Sequence, residues 1–124
     1  MAHRVLLVDD SQTARSFAAA ALETEDDLEV SLATSGFEAL RILPRGDFDL
    51  VITDINMPDI NGLELIRFTR GHARYADTPL IIISTEGRDV DREKAMALGA
   101  NEYLVKPFTP EALVAAVRRY LAKE

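Results

Sequence analysis

Short aliphatic runs alternate along the chain with longer stretches whose apolar positions recur every three or four residues. That alternation predicts strands and amphipathic helices in turn, the pattern of a parallel α/β sheet. The first run, Arg4 to Val8, is apolar enough to be buried on both faces, and it stops at Asp9 and Asp10. Ser11 is placed to cap the helix that follows, in which Ala14, Phe17, Ala18, Ala21 and Leu22 form one apolar stripe. Leu28 to Thr34 predicts a more polar second strand, suited to a sheet edge. Ser35-Gly-Phe-Glu38 has the form of a capping box opening a second helix to about Leu43, with Pro44 and Gly46 ending it. A third strand runs from Phe48 to Thr53 and ends in Asp54. Pro58 and Gly62 then mark a loop, and Asn61 with Glu64 caps a third helix.

Leu80 to Ser84, opened by Pro79, is the most hydrophobic strand and is expected at the centre of the sheet. The fourth helix, about Asp89 to Leu98, carries a thin apolar stripe, which predicts an exposed element stopped by Gly99. A short fifth strand, Glu102 to Val105, precedes Lys106-Pro107. Thr109 caps the last helix with Pro110 at its first position, and Leu113, Val117, Tyr120 and Leu121 form its expected buried face. The architecture is βα repeated five times, a doubly wound five-stranded parallel sheet with helices on both faces through right-handed crossovers.

Composition narrows this picture. A length of 124 residues suits one domain, and 48% hydrophobic with 28% charged residues suits a globular one. There is no cysteine, which excludes a disulfide scaffold, a thiolate metal site and a cysteine nucleophile. The apolar runs are too short to span a bilayer, and Asp9 and Asp10 interrupt any signal-peptide core, so a cytoplasmic protein without membrane insertion is expected. Lys and Arg number 14 against 21 Asp and Glu, and a net charge of −7 disfavours direct contact with nucleic acid.

Ligands of such sheets bind at the carboxyl ends of the strands. Here those ends carry Asp9 and Asp10, Asp54, Ser84 and Thr85, and Lys106. Three carboxylates brought together repel one another and call for a compensating cation. Oxygen ligands with positions left for water suit Mg²⁺, and the main-chain carbonyl of Asn56 can complete its shell. A carboxylate beside that ion and the Lys106 ammonium is equipped to attack phosphorus, with Ser84 and Lys106 bonding phosphoryl oxygens. Singly, each residue reads as a turn residue, a helix cap or a solvated lysine. Their coincidence on successive strand ends favours the chemical reading.

Val5-Leu-Leu-Val-Asp-Asp10, Asp49-Leu-Val-Ile-Thr-Asp54, Asn56-Met-Pro58, Gly62, Ile82-Ile-Ser84 and Tyr103-Leu-Val-Lys-Pro-Phe108 stand in an order that resembles the receiver domains of bacterial response regulators. The resemblance covers nearly the whole chain and is closest to single-domain, CheY-type members. It implies a receiver over residues 1–124 with no output domain, the flavodoxin/CheY-like fold and the strand order 2-1-3-4-5. It also implies Asp54 as phosphoacceptor, Asp9 and Asp10 as the magnesium pair, Ser84 and Tyr103 as switch residues, and a cis Lys106-Pro107 bond. Asn56 and Glu86 match residue types of members that lose phosphate quickly. A sensor histidine kinase is the expected donor. The expected output is altered binding of a target protein through the face of the fourth helix, fifth strand and fifth helix, in chemotaxis or motility.

The protein would act as a switch, monomeric when unphosphorylated, and not as an enzyme on other substrates. Ile55 stands where enteric chemotaxis proteins carry a bulky aromatic, the fourth helix presents Asp89 and Arg92, and Ala116 stands where a lysine would make a partner surface more basic. These departures leave the phosphorylation chemistry intact but count against the flagellar motor as the target. Three rivals compete with this reading. An aspartyl-nucleophile phosphatase of the haloacid dehalogenase type needs a second Asp where Asn56 stands, and a flavin or nucleotide module would need a glycine-rich loop after the first strand. A phosphorylation-independent scaffold of the same fold is the third.

Overall fold

The computed structural model describes residues 2–85, 87 and 89–121. Its strands are β1 (His3–Val8), β2 (Leu28–Ala33), β3 (Leu50–Asp54), β4 (Leu80–Ser84) and β5 (Glu102–Val105). Its helices are α1 (Gln12–Glu23), α2 (Gly36–Ile42), α3 (Gly62–Gly71), α4 (Asp89–Leu98) and α5 (Pro110–Leu121). All strand pairs are parallel, in the order β2-β1-β3-β4-β5. The middle strand is therefore β3 and not β4. Hydrophobicity marks β4 as paired on both sides, but strand order follows from the crossovers.

The side-chain alternation of the strands divides the core in two. Val5, Leu7, Leu50, Ile52, Ile81 and Ile83 face Ala18 and Leu22 of α1 and Leu113 and Val117 of α5. Leu6, Val8, Val51, Leu80 and Ile82 face Ala39, Leu65, Ile66 and Ala95 of the other three helices. Both faces of the inner strands are thus sealed, as β-branched runs between helical layers require.

The expected caps form. Ser11, Ser35, Asn61 and Thr109 each accept an N–H from three residues on, at 3.3, 3.1, 3.0 and 3.1 Å. The return half of the α2 capping box lands one residue early, with Glu38 accepting from the Thr34 N–H at 2.7 Å. Gly99 ends α4 at a positive φ of 115°, and a Cβ there would press to 2.9 Å from the Arg70 side chain. Lys106–Pro107 is cis, as expected.

Several side chains depart from the helical stripes. Phe17 is exposed and stacks obliquely on Phe108, with ring centroids 5.9 Å apart. Tyr120 is half-buried, its hydroxyl donating to the Asn101 carbonyl at 2.7 Å and to Glu102 at 2.8 Å. Ala116 is buried in the core beneath α5, so it forms no part of an outer partner surface. The strand expected from Phe48 begins at Leu50. Asp49 diverts the chain before it by exchanging bonds with Arg4, its N–H donating to the Arg4 carbonyl at 2.7 Å and its carboxylate accepting the Arg4 N–H at 2.8 Å. As expected, α4 is the least embedded helix, with Ala95 its one buried residue.

Two polar anchors hold the amino-terminal edge of the sheet. Arg70 donates to the carbonyls of Gly99 at 2.8 Å and Thr78 at 2.7 Å and to the Asn101 side chain at 2.9 Å, joining α3 to the segments that enter β4 and β5. Tyr75, wholly buried, shares its hydroxyl proton between the carbonyls of Leu43 at 2.7 Å and Gly46 at 2.9 Å. Tyr75→Phe keeps the ring but removes the hydroxyl bond from both carbonyls, leaving Leu43 only the Gly46 N–H, and should lower unfolding stability by about 1–2 kcal/mol. The check is a urea titration read at unchanged slope; an unmoved midpoint would show that the hydroxyl contributes nothing.

Candidate functional site

The register of the sheet explains how distant residues meet. Val8 lies opposite Thr53, so Asp9 and Asp54 follow at one level on neighbouring strands. Asp54 lies opposite Ile83, which puts Ser84 one step beyond it. Ser84 lies opposite Val105, and its carbonyl accepts the Lys106 N–H at 2.7 Å. The three inner strands carry apolar runs, Val5–Val8, Leu50–Ile52 and Leu80–Ile83, and the polar residues that follow those runs emerge at this edge.

Asp9 is fully buried and Asp54 is 8% exposed, whereas Asp10 lies at the surface. The Lys106 ammonium donates to Oδ2 of Asp9 and to Oδ2 of Asp54, each at 3.1 Å. The remaining oxygens are also bonded. Asp9 Oδ1 accepts the Ser11 N–H at 2.9 Å, and Asp54 Oδ1 accepts the Asn56 N–H at 3.1 Å. Burial raises the pKa of Asp54 and Asp9 adds repulsion; the Asn56 N–H and Lys106 oppose them without cancelling the rise. For Lys106, burial disfavours the ammonium, but its bonds to Asp9 and the charges of both carboxylates outweigh that, and its pKa rises.

One oxygen from each of Asp9, Asp10 and Asp54 lies within 4.8 Å of the others. Three carboxylates face one ammonium, so the cluster retains negative charge, and its donors are all hard oxygens. Such a set fits a divalent magnesium ion better than a softer metal.

Most of the residues singled out in the sequence meet at this edge. Ser84 is fully buried at the end of β4, and Asn56 is exposed immediately beyond the acceptor position. Tyr103, the expected aromatic switch, is buried at 3% exposure, with the Arg92 guanidinium 6.0 Å from its ring centroid, so it already lies inward. Asp89 and Arg92 are exposed on α4. Glu86 lies outside the described residues.

Arg15 and Asp59 went unread in the sequence, and Gly62 was read as a loop marker and a member of the family order without its packing role. Arg15 donates from α1 to the Asp9 carbonyl at 2.8 Å, fixing the main chain that carries the acidic pair. Asp59 accepts the N–H groups of Gly36 at 3.2 Å and Phe37 at 2.9 Å, tying the loop after β3 to the start of α2. Gly62 packs so closely that a Cβ would stand 2.6 Å from the Asp54 carbonyl oxygen. A glycine opening a helix just after a strand-end aspartate was the one available signal.

Beside Lys106, an apolar cleft of about 330 Å³ is lined by Ala14, Phe17, Pro107 and Phe108. Among the described residues, no helix is long and apolar enough to cross a membrane.

Comparison with known proteins agrees with this geometry. The family model for the response regulator receiver domain matches residues 5–118. A chemotaxis protein CheY homolog of Campylobacter jejuni is 40% identical over 111 residues, covering 89% of this chain and 85% of the relative. Among solved structures, the chemotaxis response regulator CheY4 of Vibrio cholerae superposes with a TM-score of 0.90 at 35% identity, over 97% of this chain and 99% of that one. The receiver domain of sensor histidine kinase PA1611 of Pseudomonas aeruginosa, described with magnesium coordinated in its active-site cleft, superposes at 0.90 with 26% identity, over 98% and 99% of the two chains. The fold, the strand-end cluster and these matches agree: the chain belongs to the response regulator receiver domain family.

Proposed function

We propose that the protein is a phosphorylation-activated switch in which Asp54 takes a phosphoryl group from the phosphohistidine of a sensor kinase. The supporting observation is the Lys106 ammonium, hydrogen-bonded at 3.1 Å to both Asp9 and Asp54. An Asp54 carboxylate oxygen forms a bond to phosphorus as the nitrogen–phosphorus bond breaks. The imidazole nitrogen keeps the electron pair and takes a proton from solvent. Magnesium held by Asp9, Asp10, Asp54 and the Asn56 carbonyl would supply charge neutralisation for the phosphoryl oxygens.

Lys106 and the Ser84 hydroxyl stand at the ends of the strands beside the acceptor and are suited to grip two of those oxygens. Drawing them toward Asp54 would tighten the ends of β4 and β5, with Tyr103 held inward. The face of α4, β5 and α5 would then change its affinity for a target protein, a two-state bias set by the added charge. The chemotaxis names of the relatives make motility the favoured setting. Phosphorylation and its reversal are the only chemistry proposed, both on the protein itself.

Asp54→Asn should abolish labelling by acetyl phosphate, read by intact mass; undiminished labelling would remove Asp54 as acceptor. The same variant should lose the change in target affinity on phosphodonor addition, where a scaffold would bind equally. Lys106 lowers the pKa of Asp54, so Lys106→Ala should raise it further and leave the acceptor protonated over more of the acidic range. Labelling should slow about tenfold or more, since a charge-assisted partner is lost. Its acid limb should move to higher pH, and an unmoved limb would contradict the charge argument. Asn56 is exposed beside the acceptor, and with Glu86 it would place the attacking water. Asn56→Ala should lengthen the phosphoryl lifetime severalfold in a decay assay, and a wild-type lifetime of many hours would oppose a short-lived signal.

A further inference from the structure

Two charge imbalances stand at opposite ends of β1. One is the carboxylate cluster. The other is a cavity of about 430 Å³ between α2, the start of β1 and the middle of β2, lined by Arg4, Ser31, Glu38, Arg41, Arg45 and Phe48. The chain carries a net charge of −7, and the guanidinium groups of Arg74, Arg118 and Arg119 are paired with carboxylates. Among the described residues, those of Arg4, Arg41 and Arg45 form no ion pair. Glu38, the one acid lining the cavity, is committed elsewhere, accepting from the Thr34 N–H at 2.7 Å and the Thr34 hydroxyl at 3.3 Å.

Arg41 and Arg45, at the end of α2 and in the turn after it, have an ordinary explanation, because cations favour a helix carboxyl terminus. That explanation does not reach Arg4. It comes from β1, is half-buried, and has its guanidinium 5.3 Å from the Phe48 ring centroid. The ring steadies the planar group without neutralising it. Three cations from three segments thus converge on one recess with the Ser31 hydroxyl among them. Guanidinium forks match phosphate oxygens in pairs, and their charge is worth most where several meet.

We infer that this recess is a binding site for a small anion carrying two or more phosphate groups, separate from the phosphoacceptor edge. A recessed Arg4 favours a small ligand over a flat polyanionic surface, which would reach only Arg41 and Arg45.

The test is a titration of the ¹⁵N-labelled full chain with inorganic tripolyphosphate in EDTA, so that no divalent ion draws the anion to the carboxylates. The site predicts saturable amide shifts at Arg4, Ser31, Arg41, Arg45 and Gly46. Arg41→Gln with Arg45→Gln should weaken binding about tenfold or more, the loss of a charge-assisted contact. Arg4→Lys keeps the charge but not the fork and should weaken it severalfold. Labelling of Asp54 by acetyl phosphate should be unchanged in these variants. Shifts that scatter without saturating, affinity indifferent to the variants, or capture by anionic vesicles that tripolyphosphate does not compete away would each overturn the assignment.

Discussion

One ammonium faces three carboxylates at the carboxyl edge of the sheet, and the arrangement there rests on that imbalance. Asp9 is fully buried and Asp54 nearly so, and an unpaired buried carboxylate costs several kcal/mol. Lys106 bonds both, while its own main chain is held to the Ser84 carbonyl across the β4–β5 ladder. The pairing holds the two acids close, yet leaves the cluster short of positive charge. Residual negative charge suits a divalent ion, and in the proposed function that ion would make a phosphoryl group tolerable. A carboxylate fully satisfied by arginines would be as stable and chemically inert.

That edge is held in place by what lies behind it. The inner strands bury side chains on both faces, so their ends cannot shift without disturbing two cores. Below the site, Arg70 and Tyr75 lock the segments leading into β3, β4 and β5 by bonding main-chain carbonyls. The helices are anchored unequally. Where α1 and α5 each bury four residues, α4 buries Ala95 alone. Local rearrangement costs least where least apolar surface is committed. Movement at α4, next to Tyr103, therefore strains the fold less than movement of any neighbouring helix.

What was legible in the sequence was local or followed from topology. Caps at Ser11, Ser35, Asn61 and Thr109 depend on residues three apart, and each formed. The convergence of Asp9, Asp10, Asp54, Ser84 and Lys106 followed from strands that run parallel, because then all their carboxyl ends share an edge. Strand order did not follow from hydrophobicity, since β1, β3 and β4 are all interior and comparably apolar. Periodicity located the helical stripes but not their margins, so Phe17 and Tyr120 came out more exposed than expected and Ala116 more buried. The contact of Arg15 and, Asn101 apart, those of Arg70 end on main-chain carbonyls, which carry no residue identity and leave no pattern to read.

The burial of Ala116 also changes the argument about the target. A small residue there satisfies packing beneath α5, so its presence says nothing about the charge of the outer surface. What distinguishes that surface must come from residues that reach solvent. On α4 and β5 these include Val90, Met96 and Val105 beside Asp89 and Arg92, apolar side chains interspersed with charges of both signs. If that face receives the target, as proposed, its make-up would favour shape and apolar contact over net charge. The pocket and the face are therefore under different constraints. Phosphoryl chemistry demands particular groups at fixed positions, whereas an outer surface need only complement one partner and can differ from relative to relative on the same scaffold.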